Sequence, residues 1–232
     1  MDLIGVPVVG APVVAGAGFI VLLVILFANS WANLLLAVVH EGGHMVMAVL
    51  TFRGFSWFRI MGPGSAETRL VDDSWGPGDF ILTLAGYLSP PLLGLGGAAV
   101  LARGNAWGVL VVAAILMFWA FLYAKEALAN VVTLIAFGGV LLLLWRGSTY
   151  VQLTVAVAIV WLLLIGGLIS AVRMDRGDKS DAWWMARRTW IPALVWQAFW
   201  VTVAIVCLYA GGRLLFTGTA WPPGVWPFDV RA

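Results

Sequence analysis

Charge is scarce in this chain. The 232 residues hold 13 Lys plus Arg and 11 Asp plus Glu, a charged share of 10%, against 62% hydrophobic residues. A soluble domain needs far more charge than this on its exterior, so the lipid bilayer is the natural solvent. Cysteine is nearly absent. With Cys207 alone, a disulfide within the chain is excluded and a Cys-based metal site has no basis; its apolar surroundings fit helix packing. No basic cluster interleaved with aromatics occurs, so the net charge of +2 and the pI near 9.0 do not point to nucleic acid. No Lys or Arg precedes the first apolar run, which therefore lacks the charged start of a cleavable signal peptide and reads as a retained helix. Histidine occurs only twice.

What the chain does have is apolar runs of about 20 residues, long enough to cross the hydrocarbon core. Seven spans are expected, at roughly 10–28, 32–52, 79–102, 106–124, 127–145, 150–172 and 190–212. They become six if the first two, separated by "NSWAN", form one kinked element. The expected fold is thus an all-α polytopic membrane protein of six to seven transmembrane helices, one domain over residues 1–232. After the second span, "GFSWFRIMGPGSAETRLV" (54–71) carries two β-like runs around a Gly-Pro-Gly-Ser turn and predicts a short hairpin. "YLSPPLLG" (87–94) puts two prolines inside the third span and predicts a kink or unwinding there. The 14 Trp suit interfacial belts and helix packing.

With seven spans, one side of the membrane receives Arg53, Arg59, Arg69, Lys125 and the basic residues of 173–188; the other receives Arg103, Arg146, Arg213 and Arg231. The bias places the hairpin and the 173–190 segment in the cytoplasm.

Against this apolar background, residues 40–44 read "HEGGH". On a helix His40 and His44 share one face about 6 Å apart along the axis, so both reach one metal ion, while Glu41 lies on the adjoining face. Two neutral imidazoles holding Zn²⁺ and a carboxylate acting as general base on a zinc-bound water is the zinc-hydrolase arrangement. Gly42 and Gly43 are expected to remove bulk beside the metal. Ionisable groups inside an apolar span are costly, about 2.5–3.5 kcal/mol for a charge at mid-helix, and metal coordination offsets that cost.

A zinc site of this kind needs a third protein ligand. The candidates are Asp72, Asp73, Asp79, Glu126, Asp175, Asp178 and Asp181. His44 lies about 12 Å inside the cytoplasmic end of its span at 1.5 Å per residue, so the ligand is expected from the cytoplasmic side. Asp181 fits best. The sequence turns apolar directly after it, and a helix beginning at Ser180 or Lys179 would carry it in its first turn. Asp175 and Asp178 read as solvated surface residues, and Glu126 as a local interfacial contact.

"HEGGH" in an apolar span, the short β-like loop after it, "AGYLSPPLLG" (85–94) and "SDAWWMARRTWIPALVWQAFW" (180–200) together resemble the site-2 protease family of membrane-embedded zinc metalloproteases, in its compact bacterial branch. The resemblance implies that His40, His44 and Asp181 are zinc ligands and Glu41 the catalytic base. The chain departs from the larger family in having no Leu-Asp-Gly motif and no inserted PDZ-like domain. The expected function is hydrolysis of peptide bonds in membrane-spanning proteins, in a bacterial plasma membrane, with the site opening toward the cytoplasm. The resemblance further implies a single-span substrate such as an anti-sigma factor or a signal-peptide remnant. The hairpin edge would receive an unwound substrate as an added strand.

Other readings of the same residues are a metal or proton transporter, which requires ionisable partners on other spans and finds only Glu126, and a non-catalytic relative that binds a membrane partner. The sequence names no substrate-binding residue and no oligomeric state.

Overall fold

The computed structural model describes residues 10–27, 29–52, 55–62, 65–70, 76–123, 127–178 and 180–217. Its elements follow the apolar runs: α1 (Ala11–Phe27), α2 (Asn29–Leu50), strands β1 (Phe55–Gly62) and β2 (Ser65–Leu70), α3 (Pro77–Leu101), α4 (Ala106–Tyr123), α5 (Ala127–Arg146), α6 (Thr149–Val172), α7 (Asp181–Thr189) and α8 (Ala193–Thr217). The protein is a helical, polytopic membrane protein. Among the described residues α2, α3, α4, α6 and α8 are long and apolar enough to cross a bilayer. Two further apolar helices are shorter among the described residues: α1, with 17 residues, and Asn130–Arg146 of α5. The two strands pair antiparallel from Phe55↔Leu70 to Gly62↔Ser65, with register shifts after Phe55 and Ile60, and lie against α2.

Helices that share a lipid solvent gain little from burying apolar surface against one another, so close packing must hold them. Around α6 this is done by small residues. Leu164, fully buried, sits between Gly94 of α3 and Gly211 of α8; a Cβ on either glycine would stand 2.9 or 2.8 Å from it. Trp161 of α6 donates its indole N–H to the Val14 carbonyl of α1 at 3.0 Å. The prolines of α3 do not unwind it. The helix runs without interruption through Pro90 and Pro91, both buried, and the Pro91 ring seats against Gly167 of α6, where a Cβ would stand 2.9 Å from it. The bare glycine backbone leaves room for the ring where the two helices pack.

Helix ends in a membrane leave carbonyls that water does not reach freely. Two glutamines answer this. Gln197 of α8 donates to the Ala171 and Val172 carbonyls that end α6, at 3.1 and 2.9 Å. Gln152 of α6 donates to Leu143, Leu144 and Gly147 at the end of α5, at 3.1, 3.3 and 3.2 Å.

Candidate metal centre

The site forms where α2, α3, α7 and α8 meet. His40 and His44 lie on α2 one turn apart, and their Nε2 atoms stand 3.1 Å from each other. Asp181 reaches them from the first turn of α7: its Oδ2 is 3.1 Å from His40 Nε2 and 3.5 Å from His44 Nε2. Local sequence explains its placement. Ser180 caps α7 by accepting the Trp183 N–H at 3.2 Å. Ala182 and Met185, one turn apart, bury the inner face, and Arg187 and Arg188 occupy the last turn, where the helix dipole favours cations. Trp190 ends the helix in the left-handed region, φ 62°, its N–H bonded to Ala186 O at 3.0 Å.

The donor set fits a divalent cation. His44 donates Nδ1–H to the Leu82 carbonyl of α3 at 2.8 Å, so the neutral ring turns a bare lone pair of Nε2 toward the centre. One proton on His40 Nε2 would satisfy at most one of its two neighbours, and buried Asp181 Oδ2 has no hydrogen-bond partner. Three lone-pair atoms face one another 3.1–3.5 Å apart. Around a tetrahedral zinc at the usual bond lengths, ligand atoms lie about 3.3 Å apart. Among the described residues His40, His44 and Asp181 are the group of this kind. Once the imidazoles are protonated instead of holding an ion, the charge of His44 and hydrogen bonds from both rings would outweigh the effect of burial and hold the Asp181 carboxyl below the usual carboxylate range.

Glu41 is 3% exposed on α2, beside His40 in sequence. The other carboxylates sort as follows. Asp79 is buried but accepts the Gly76 N–H at 2.6 Å, within the first turn of α3. Asp175 is exposed and accepts the Gly177 N–H at 2.9 Å, and Asp178 is exposed. Asp72, Asp73 and Glu126 lie outside the described residues.

Two expectations about the glycines of "HEGGH" need correction. A Cβ on Gly43 would collide with the Ser89 hydroxyl and stand 2.8 Å from the Ala85 carbonyl, so Gly43 serves the close approach of α2 to α3. A Cβ on Gly42 meets nothing within 4 Å. The glycine that keeps bulk from the ligand atoms is on the neighbouring helix: a Cβ on Gly86 would lie 2.5 Å from His44 Nε2 and 2.6 Å from His40 Nε2 and Cε1. Next to it, the Tyr87 ring packs edge-on against His40 with centroids 4.5 Å apart, and leans on Trp200 at 5.3 Å. Trp200 is fully buried and tied to the Leu84 carbonyl by its N–H at 3.0 Å. Gly86 and Tyr87 fall inside "AGYLSPPLLG"; a Gly-Tyr pair within a span is a weak sign, and the partner helix that gives it meaning is not adjacent in sequence.

Membrane-crossing helices that bring an H-E-x-x-H turn and an aspartate together at a buried point define a polytopic membrane protein with a candidate metal centre. A family profile described as Peptidase M50B-like matches residues 13–211, and the chain belongs to that family, within the site-2 proteases. No curated protein and no solved structure matches the chain.

Proposed function

We propose that the protein is an intramembrane zinc metalloendopeptidase in which His40, His44 and Asp181 hold the ion and Glu41 is the general base. The observation that carries this reading is the convergence of three lone-pair atoms from two distant parts of the chain beside an intact Glu41. Zinc, when bound, supplies a Lewis acid that acidifies water and polarises a carbonyl. The remaining work belongs to the chain. Leu82 fixes the His44 tautomer, Asp181 brings negative charge that favours a cation, and Glu41 takes the proton of the attacking water and delivers it to the leaving amine.

His44 lies six residues before the end of α2, about 9 Å inside it, on the side of the hairpin and α7. The basic bias assigns this side to the cytoplasm. The substrate class is a membrane-spanning protein, unwound near the site, and the hairpin edge is the receiving strand. The membrane is a bacterial plasma membrane, and residues 1–232 act as one domain.

The test is zinc content and peptide hydrolysis in detergent-purified protein. Wild type should hold one zinc per chain; His44→Ala and Asp181→Ala should lose it; Glu41→Gln should keep it while hydrolysis falls by about 10²–10⁴-fold. Zinc retained by Asp181→Ala removes Asp181 from the ligand set. Wild type without zinc after reconstitution overturns the reading. Zinc without hydrolysis of any membrane-spanning substrate favours a non-catalytic partner-binding role.

A further inference from the structure

We infer that Tyr87 is a further catalytic residue, its hydroxyl donating a hydrogen bond to the carbonyl oxygen of the scissile peptide; the inference rests on the hydrolytic reading above. Its position is the first reason. Tyr87 follows Gly86, whose backbone abuts the imidazole nitrogens, and its ring stands edge-on to His40 at 4.5 Å. The second is rigidity. Trp200, buried and anchored to Leu84 O, closes one side of the ring, so its place is set before any ligand arrives.

The third reason is elimination. Among the described residues the centre is rich in acceptors, with Glu41, Asp181 and two imidazole lone pairs, and poor in free donors. Ser89 donates to Ala85 O at 2.8 Å, Trp200 to Leu84 O, Trp196 to Thr189 Oγ1 at 3.1 Å, and Gln197 to the end of α6. Tyr87 makes ring contacts and no hydrogen bond among the described residues. A half-buried phenol ordinarily finds a partner for its O–H.

The chemistry needs such a donor. When water adds to the carbonyl carbon, the π pair moves onto oxygen and a full negative charge develops there. A hydrogen bond from Tyr87 stabilises that charge. Glu41 holds the water's proton meanwhile and passes it to the amine nitrogen as the C–N bond breaks, leaving a carboxylic acid and an amine. Removing one preorganised donor to an oxyanion costs about 10²–10³ in rate.

Tyr87→Phe keeps the ring and deletes only the hydroxyl. It is to be compared with wild type for zinc content and for affinity toward two probes of the same Leu-Ala sequence, a tetrahedral phosphinic peptide and a planar hydroxamate. The expected result is one zinc per chain in both proteins, phosphinate affinity at least 100-fold lower in the variant, consistent with the cost of a lost oxyanion donor, and hydroxamate affinity unchanged. Equal phosphinate affinity overturns the inference, as does loss of zinc in Tyr87→Phe, which would make the tyrosine a support for the ligands. Wild type with no zinc at all overturns instead the reading on which it rests.

Discussion

Replacing Gly86 with alanine sets two physical effects against each other. In a helix interior alanine is more favourable than glycine by about 1 kcal/mol, so an argument from local structure alone predicts a more stable protein with its site intact. The tertiary geometry predicts the opposite for the site. The new methyl would stand 2.5 Å from His44 Nε2 and 2.6 Å from His40 Nε2, against a comfortable separation of about 3.5 Å. Each imidazole must therefore withdraw by about 1 Å, or α3 must retreat by as much. Retreat is resisted where Pro91 seats on Gly167 and Trp200 holds Leu84. Ligand distances tolerate changes of only about 0.2 Å, so the centre should be disrupted. Disturbing a residue that merely supports a ligand costs about 10–100-fold in metal affinity, and displacing two ligands should cost at least the upper figure. The assay is zinc retention against a competing chelator in detergent, with helicity and thermal unfolding recorded on the same samples. Gly42→Ala is the control, because its methyl meets nothing within 4 Å: it should keep zinc and gain slightly in stability. Gly86→Ala holding zinc as tightly as wild type would refute the reasoning.

Trp200→Phe removes an indole N–H bound to Leu84 O and leaves space at a fully buried position, and should lower unfolding stability in detergent by about 1–3 kcal/mol; an unchanged unfolding transition would show that the bond contributes nothing net. Acidification should release zinc, because imidazoles and carboxylates bind it only when deprotonated. The Asp181 pKa is already held low, so this group is charged at mildly acid pH and takes up no proton there. The zinc affinity should then fall with a limiting slope of two protons per ion, from the two histidines, and a slope of three would contradict the depressed Asp181 carboxyl.

Much of the centre was legible in the sequence because it depends on local periodicity. Four residues separate His40 from His44 on any helix, and the change from "RGDKSD" to "AWWMARRTW" marks a helix start wherever the segment packs. Asp181 was thus reachable without coordinates. Gly86 and Tyr87 were not, since their meaning comes from the register between α2 and α3. The two glycines inside the motif drew attention for being beside the histidines in sequence, yet Gly43 serves helix approach and Gly42 faces open space. The seat of the Pro91 ring was out of reach for a similar reason, because the glycine that receives it lies on α6.

Asp181 enters the centre from a helix that begins 137 residues after His44. Synthesis runs from the N-terminus, so α2 and α3, with both histidines and Gly86, leave the ribosome before α7 does. At that stage the chain has a two-ligand half-site. The last donor arrives only after α6 has formed and the chain has turned back. The order of the helices therefore acts as a clock: the third donor is not available until α4, α5 and α6 have been made.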